Sequence, residues 1–128
     1  MQRKILVTAA VLGILAIILG AFGAHALKKV LTPENLVTFE TGVKYQMYHA
    51  LFLLFVGTTT AITEKAKGFI FWFTTVGVLF FSGSIYLLAT RNVTNIDFRF
   101  LGIVTPFGGL LLIVAWFWLF IDLMRKKS

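Results

Sequence analysis

The sequence predicts an all-α integral membrane protein: four transmembrane helices in a compact bundle, with an interfacial helical extension before the second span. Three observations predict it. Of 128 residues, 59% are hydrophobic and only 13% are charged, against about 45–50% and about 25% in a soluble domain. The mean hydropathy is +0.91. The apolar residues gather into four runs, each near the ~20 residues that cross a bilayer core. Backbone groups in hydrocarbon must be bonded within their own segment, and these runs do not alternate as barrel strands would, so they read as helices. The length allows one domain, residues 1–128, and the runs leave only short links and tails.

The first run, residues 5–24, holds no charge. With Arg3-Lys4 before it and Ala24-His25-Ala26 at its end, it also has the outline of a cleaved signal peptide. It is longer than the roughly 7–15 apolar residues of a signal, and three further runs follow, so it reads as a span. The second run, residues 45–62, is interrupted by Gln46, His49 and hydroxyls. Upstream, Thr32-Pro33-Glu34 is a helix start, with Thr as N-cap, Pro at the first helical position and an acid in the first turn. Only Gly42 breaks the pattern before Ile62, so one helix is expected over 33–62, about 45 Å long. That exceeds the hydrocarbon core, and its first turns are expected at the interface. Leu36, Phe39 and Val43 form their apolar stripe, and Glu40 and Lys44 are an i,i+4 pair. The third and fourth runs, residues 68–90 and 100–121, carry no charge. Pro106 inside the fourth removes an amide donor and crowds the carbonyl of Gly102, so a kink is expected there, with the Thr105 hydroxyl available to the freed backbone.

Four spans put both termini on one side. That side carries seven cations, Arg3, Lys4, Lys65, Lys67, Arg125, Lys126 and Lys127, while the other carries five, Lys28, Lys29, Lys44, Arg91 and Arg99. The excess places the N- and C-termini in the cytoplasm, with Trp72 and Trp118 near the same boundary. A net charge of +7 would suggest nucleic acid in a soluble chain. Here the cations lie between apolar runs and meet the lipid bilayer, and no nucleic acid is expected.

Close approach through small residues separates helix contacts from lipid contacts in a membrane. Ala9, Gly13, Ala16, Gly20 and Ala24 form one such stripe on the first span. Gly77 and Ser84 do the same on the third, and Gly102, Thr105 and Gly109, with Gly108 beside them, on the fourth.

The main polar side chains of the spans form the one constellation of interest. Counted at 1.5 Å per residue from the expected outer boundary, His25 lies at the surface, Gln46, His49 and Thr105 lie within about 7 Å, and Ser82, Ser84 and Tyr86 about 6–12 Å deep. Such groups need hydrogen-bond partners in hydrocarbon, and one depth lets them satisfy one another. His49 is expected to contact Tyr86, Ser84 or Thr105. The layer reads either as bonds pinning the helices together or as a shallow polar cavity for a small molecule, a lipid head or a proton.

Catalytic readings find little support. There is no Cys, which excludes disulfides and thiolate chemistry. Two His with Glu40 as the nearest acid fall short of the three or four ligands of a metal site. Phe81-Ser82-Gly83-Ser84 is not a nucleophile elbow, and no phosphate or dinucleotide fingerprint is present, so no cofactor is expected. The expected function is non-enzymatic, through protein or lipid contacts, as a homo-oligomer or an accessory subunit of a larger membrane complex. The alternative is a small-solute or proton-coupled transporter or pore acting as an oligomer.

Four strings occur in order: residues 20–27 (GAFGAHAL), 45–51 (YQMYHAL), 81–87 (FSGSIYL) and 105–109 (TPFGG). Together they closely resemble the small bacterial membrane proteins of the domain-of-unknown-function 423 (DUF423) family, over nearly the whole chain. The resemblance implies a four-span protein of the bacterial inner (plasma) membrane, and it implies no reaction, ligand or catalytic residue. The basic C-terminus and the 91–99 link depart from the pattern.

Overall fold

The computed structural model describes residues 2–94 and 100–125. Its elements are α1 (Gln2–His25), a 3₁₀ turn at Leu27–Lys29, α2 (Pro33–Thr58), α3 (Glu64–Ala89), a single turn α4 (Arg91–Thr94) and α5 (Leu101–Met124). The long helices have 24, 26, 26 and 24 residues, or about 36–39 Å each. They run antiparallel in sequence: α1 packs along α2, α2 along α3, and α3 along α5. Arg99, Lys126 and Lys127, which entered the charge count, lie outside the described residues.

α1, α3 and α5 are long and apolar enough to cross a membrane. α2 is as long but does not reach that composition, because Glu34, Asn35, Glu40, Lys44, Gln46 and His49 occupy its first two-thirds. Composition therefore marks three spans among the described residues, where four were expected. Of these side chains, Gln46 and His49 are turned inward, at 4% exposure each.

α2 begins where the sequence places it. Thr32 is the N-cap, its Oγ1 accepting from the Asn35 amide at 3.1 Å, and Pro33 opens the helix. It stops at Thr58 rather than near Ile62. Three consecutive threonines end it: the Thr58 hydroxyl bonds back to the Leu54 carbonyl at 2.8 Å, Thr59 is extended, and the Ala61 amide donates to Thr59 Oγ1 at 3.1 Å. Side chains that bond their own backbone compete with helix propagation. The segment expected as an interfacial extension packs against the bundle by one face. Phe39 is buried against Gly23, Val43 meets Gly20, and Gly42 faces Ile85 and Tyr86, so residues 33–44 run beside the last turns of α1 and α3.

Small residues set the helix spacing. Gly13 faces Ala50, and Gly57 faces Leu6, where an added Cβ would come within 2.7 Å. On the α3–α5 seam Gly77 lies against Leu112, and Gly108 sits directly on the backbone of Phe80 and Phe81. Two expectations shift here. Gly102 has open space around it and is exposed, and Gly109 makes only ordinary contact with the Phe81 ring at 3.6 Å. The close approach belongs to Gly108, one residue and 100° from Gly109. At the end of α1 it is Gly23, not the exposed Ala24, that continues the stripe. α5 runs as one helix through Pro106, and the Thr105 hydroxyl donates to the Leu101 carbonyl at 3.2 Å.

Two apolar clusters close the bundle. Ile5, Ala9, Leu53, Val56, Ile70, Phe71, Ala115 and Leu119 bring all four long helices together at the end that carries both termini. Leu27, Leu31, Phe39 and Ala89 seal the opposite end.

Candidate functional site

Gln46 is the hub of the polar groups. Its Nε2 donates to the Leu12 carbonyl of α1 at 2.8 Å, and its Oε1 accepts from the Tyr86 hydroxyl of α3 at 2.6 Å. One amide thus joins three helices. Ser82 Oγ donates to the Gly42 carbonyl at 2.8 Å, a second α2–α3 bond, which the close approach at Gly42 permits. Ser84 and Thr105 share a hydroxyl–hydroxyl bond that joins α3 to α5.

His49 does not meet Tyr86, Ser84 or Thr105. Its Nδ1 bonds the Tyr45 carbonyl at 2.7 Å, and its Nε2 accepts from the Trp116 indole of α5 at 3.0 Å. An indole N–H only donates, so Nε2 is the bare nitrogen and Nδ1 carries the proton. The neutral ring is then fully engaged, one donor and one acceptor. The expectation failed on depth. It counted from residue 45, but α2 is already packed at Phe39, and Ala50 faces Gly13, the middle of α1. His49 therefore lies at mid-bundle, deeper than the Ser84–Thr105 pair. The polar groups occupy two levels rather than one. His25 belongs to neither, being exposed at the end of α1.

Beside His49 a lateral groove of about 320 Å³ opens between α2 and α5. Its walls are rings and aliphatics, including Tyr45, Phe81, Ile113 and Trp116. Phe52 packs on Trp116 with centroids 4.1 Å apart and fixes the indole that holds the imidazole.

A further polar contact lies at the terminal end. Asp122 of α5 is 3% exposed and accepts from the Thr63 amide at 2.9 Å and from Thr63 Oγ1 at 3.3 Å. Thr63 is the N-cap of α3, accepting from the Ala66 amide at 3.1 Å. A carboxylate from one helix so completes the cap of another, where the helix dipole favours negative charge. Sequence reasoning ended the span at residue 121 and left Asp122 to the tail. The available signal was a single acid after a long uncharged run, at the depth where the Thr63-Glu64 helix start must lie.

A family profile described as "Protein of unknown function (DUF423)" matches residues 19–109. The chain belongs to the DUF423 family. Among curated relatives, a UPF0382 membrane protein of Staphylococcus haemolyticus is 41% identical over 106 residues, 83% of each chain. One from Staphylococcus saprophyticus is 38% identical over 97% of this chain and 99% of its own. The UPF0382 inner membrane protein YgdD of Escherichia coli K12 is 33% identical over 98% of this chain and 93% of its own. No solved structure matches. The match spans Gln46, His49, Ser82, Ser84, Tyr86 and Thr105, so the Gln46–Tyr86, Ser82–Gly42 and Ser84–Thr105 bonds of this DUF423 chain fall within the family region, whereas Leu12, the other partner of Gln46, precedes it. Trp116 and Asp122 lie beyond it. With three helices apolar enough to span and relatives named as membrane proteins, this is a multi-pass membrane protein.

Proposed function

We propose that the chain is a four-span, non-enzymatic component of the bacterial plasma membrane, with both termini cytoplasmic, that acts through lipid or protein contacts on its outer faces. The fourth span is α2, a polar helix shielded by its neighbours. The observation that carries the reading is the full engagement of His49: both ring nitrogens are bonded, one to its own helix and one to Trp116. Gln46 is likewise bonded at both ends of its amide. Polar groups so engaged act as interhelical glue, each bond contributing about 0.6 and at most ~1.7 kcal/mol. The seven-to-five distribution of Lys and Arg supports the orientation. The E. coli relative, named as an inner membrane protein, supports the location.

One observation favours the transporter reading: an ionisable ring at mid-bundle beside a groove, since intramembrane ionisable residues often mark transport paths. Proton flux separates the two. In liposomes loaded with a pH dye, the glue reading predicts decay at the rate of protein-free vesicles, the same for His49→Ala. Protein-dependent flux that His49→Ala removes would overturn it.

A further inference from the structure

At the terminal end of α5 two cavities meet. One is an apolar groove of about 250 Å³ lined by Val114, Phe117, Trp118, Ile121 and Arg125. The other is a polar notch of about 130 Å³ lined by Thr63, Lys65, Ala66, Trp118, Asp122 and Arg125. They share Trp118 and Arg125, so apolar surface runs directly into a mouth flanked by two cations. Lys65 and Arg125 are both exposed. Trp118 stacks on Phe69 with centroids 4.5 Å apart, which holds the indole at the junction.

From this continuity we infer a binding site for one anionic phospholipid, its phosphate between Lys65 and Arg125 and an acyl chain along Val114, Phe117 and Ile121. It rests on the reading above, and names the lipid class and the place for the lipid contacts proposed there. The charge pattern selects the ligand. The notch contains one acid, Asp122, whose two oxygens accept from the Thr63 amide and hydroxyl. The dipole of α3 is thereby met from within the protein, and the lipid phosphate is held by the Lys65 and Arg125 side chains rather than by the helix end. A tryptophan between hydrocarbon and head groups is the side chain that suits this boundary. A free phosphate would leave the groove unused, and a zwitterionic lipid would bring a cation of its own to a mouth that already holds two.

The test uses the full chain in mild detergent and native mass spectrometry, with phosphatidylglycerol and phosphatidylcholine in equal amounts. Phosphatidylglycerol is expected to be retained preferentially. Lys65→Gln with Arg125→Gln is expected to weaken its binding by about fivefold for each cation removed. Lys28→Gln with Lys29→Gln, the same charge change at the opposite end, is expected to leave it unchanged. Val114→Trp, which fills the groove and keeps both cations, is expected to reduce retention, and glycerol phosphate is expected not to compete. Equal retention of the two lipids, equal loss from both charge pairs, or competition by glycerol phosphate overturns the site. Should the Lys65/Arg125 pair fail to fold, Val114→Trp and the competition decide. The flux assay is independent of all these outcomes, so failure of the site and failure of the functional reading are told apart.

Discussion

Trp116 of α5 donates its indole N–H to Nε2 of His49 on α2 across 3.0 Å. This bond joins two helices that are not neighbours in the packing order α1–α2–α3–α5. It closes the row of helices at mid-bundle, where the termini-side cluster closes it below. The account predicts that the pair is energetically coupled. In a double-mutant cycle of His49→Leu and Trp116→Phe, followed by unfolding in SDS, the coupling should be about 0.6 and at most ~1.7 kcal/mol. Strict additivity would remove the bond from the account.

Gln46→Leu should destabilise more than Tyr86→Phe, because it frees both the Leu12 backbone carbonyl and the Tyr86 hydroxyl. A loss of about 1–3 kcal/mol is expected for the buried hydroxyl left without its acceptor. Tyr86→Phe should then cost little in the Gln46→Leu background. Thermal unfolding of the four proteins checks this.

Gly108→Ala and Gly102→Ala make a matched pair on one helix. A Cβ at Gly108 would strike the Phe80–Phe81 backbone, whereas one at Gly102 meets nothing within 4 Å. Gly108→Ala should cost about 1–3 kcal/mol by overpacking. Gly102→Ala should be neutral or stabilising by up to about 1 kcal/mol. Similar losses at both positions would contradict the helix orientation.

Asp122→Ala leaves the Thr63 amide without its acceptor at the start of α3. It should cost about 1–3 kcal/mol. Asp122→Asn, which keeps an acceptor oxygen and loses the charge, should fall between wild type and Ala. Hydrogen exchange at the first turn of α3 should rise in the same order.

Helix identity was legible because apolar runs of span length and the Thr32-Pro33-Glu34 start carry their causes locally. Gln46, Ser82, Ser84, Tyr86 and Thr105 were legible as bonding groups, since a Gln or a Ser in an apolar run must find a partner somewhere, whereas Trp116 and Asp122 were not picked out. Which partner each group finds was not legible. Ser84 and Thr105 meet at matched depth, but His49 meets Trp116 because its rotational position on α2 points it at α5, and no local pattern encodes that angle. The depth error at His49 had a physical source as well. Lys44 marked the expected boundary, yet it lies on an exposed side of a helix already packed at Phe39 and Gly42. A long cationic side chain can reach the interface from inside the membrane boundary. Gly108 and Gly102 teach the same lesson, since small residues of equal sequence weight lie on different faces.

The central claim is that α2 crosses the membrane despite its composition. The natural sequence has no Cys, so single-cysteine labelling in intact cells tests it directly. Glu34→Cys in the first turn of α2 and Thr60→Cys just past its last residue mark its two ends. The account predicts that an impermeant maleimide added from outside labels Glu34→Cys, and labels Thr60→Cys only after the cells are opened. Labelling of both positions from the same side of the intact membrane would contradict it.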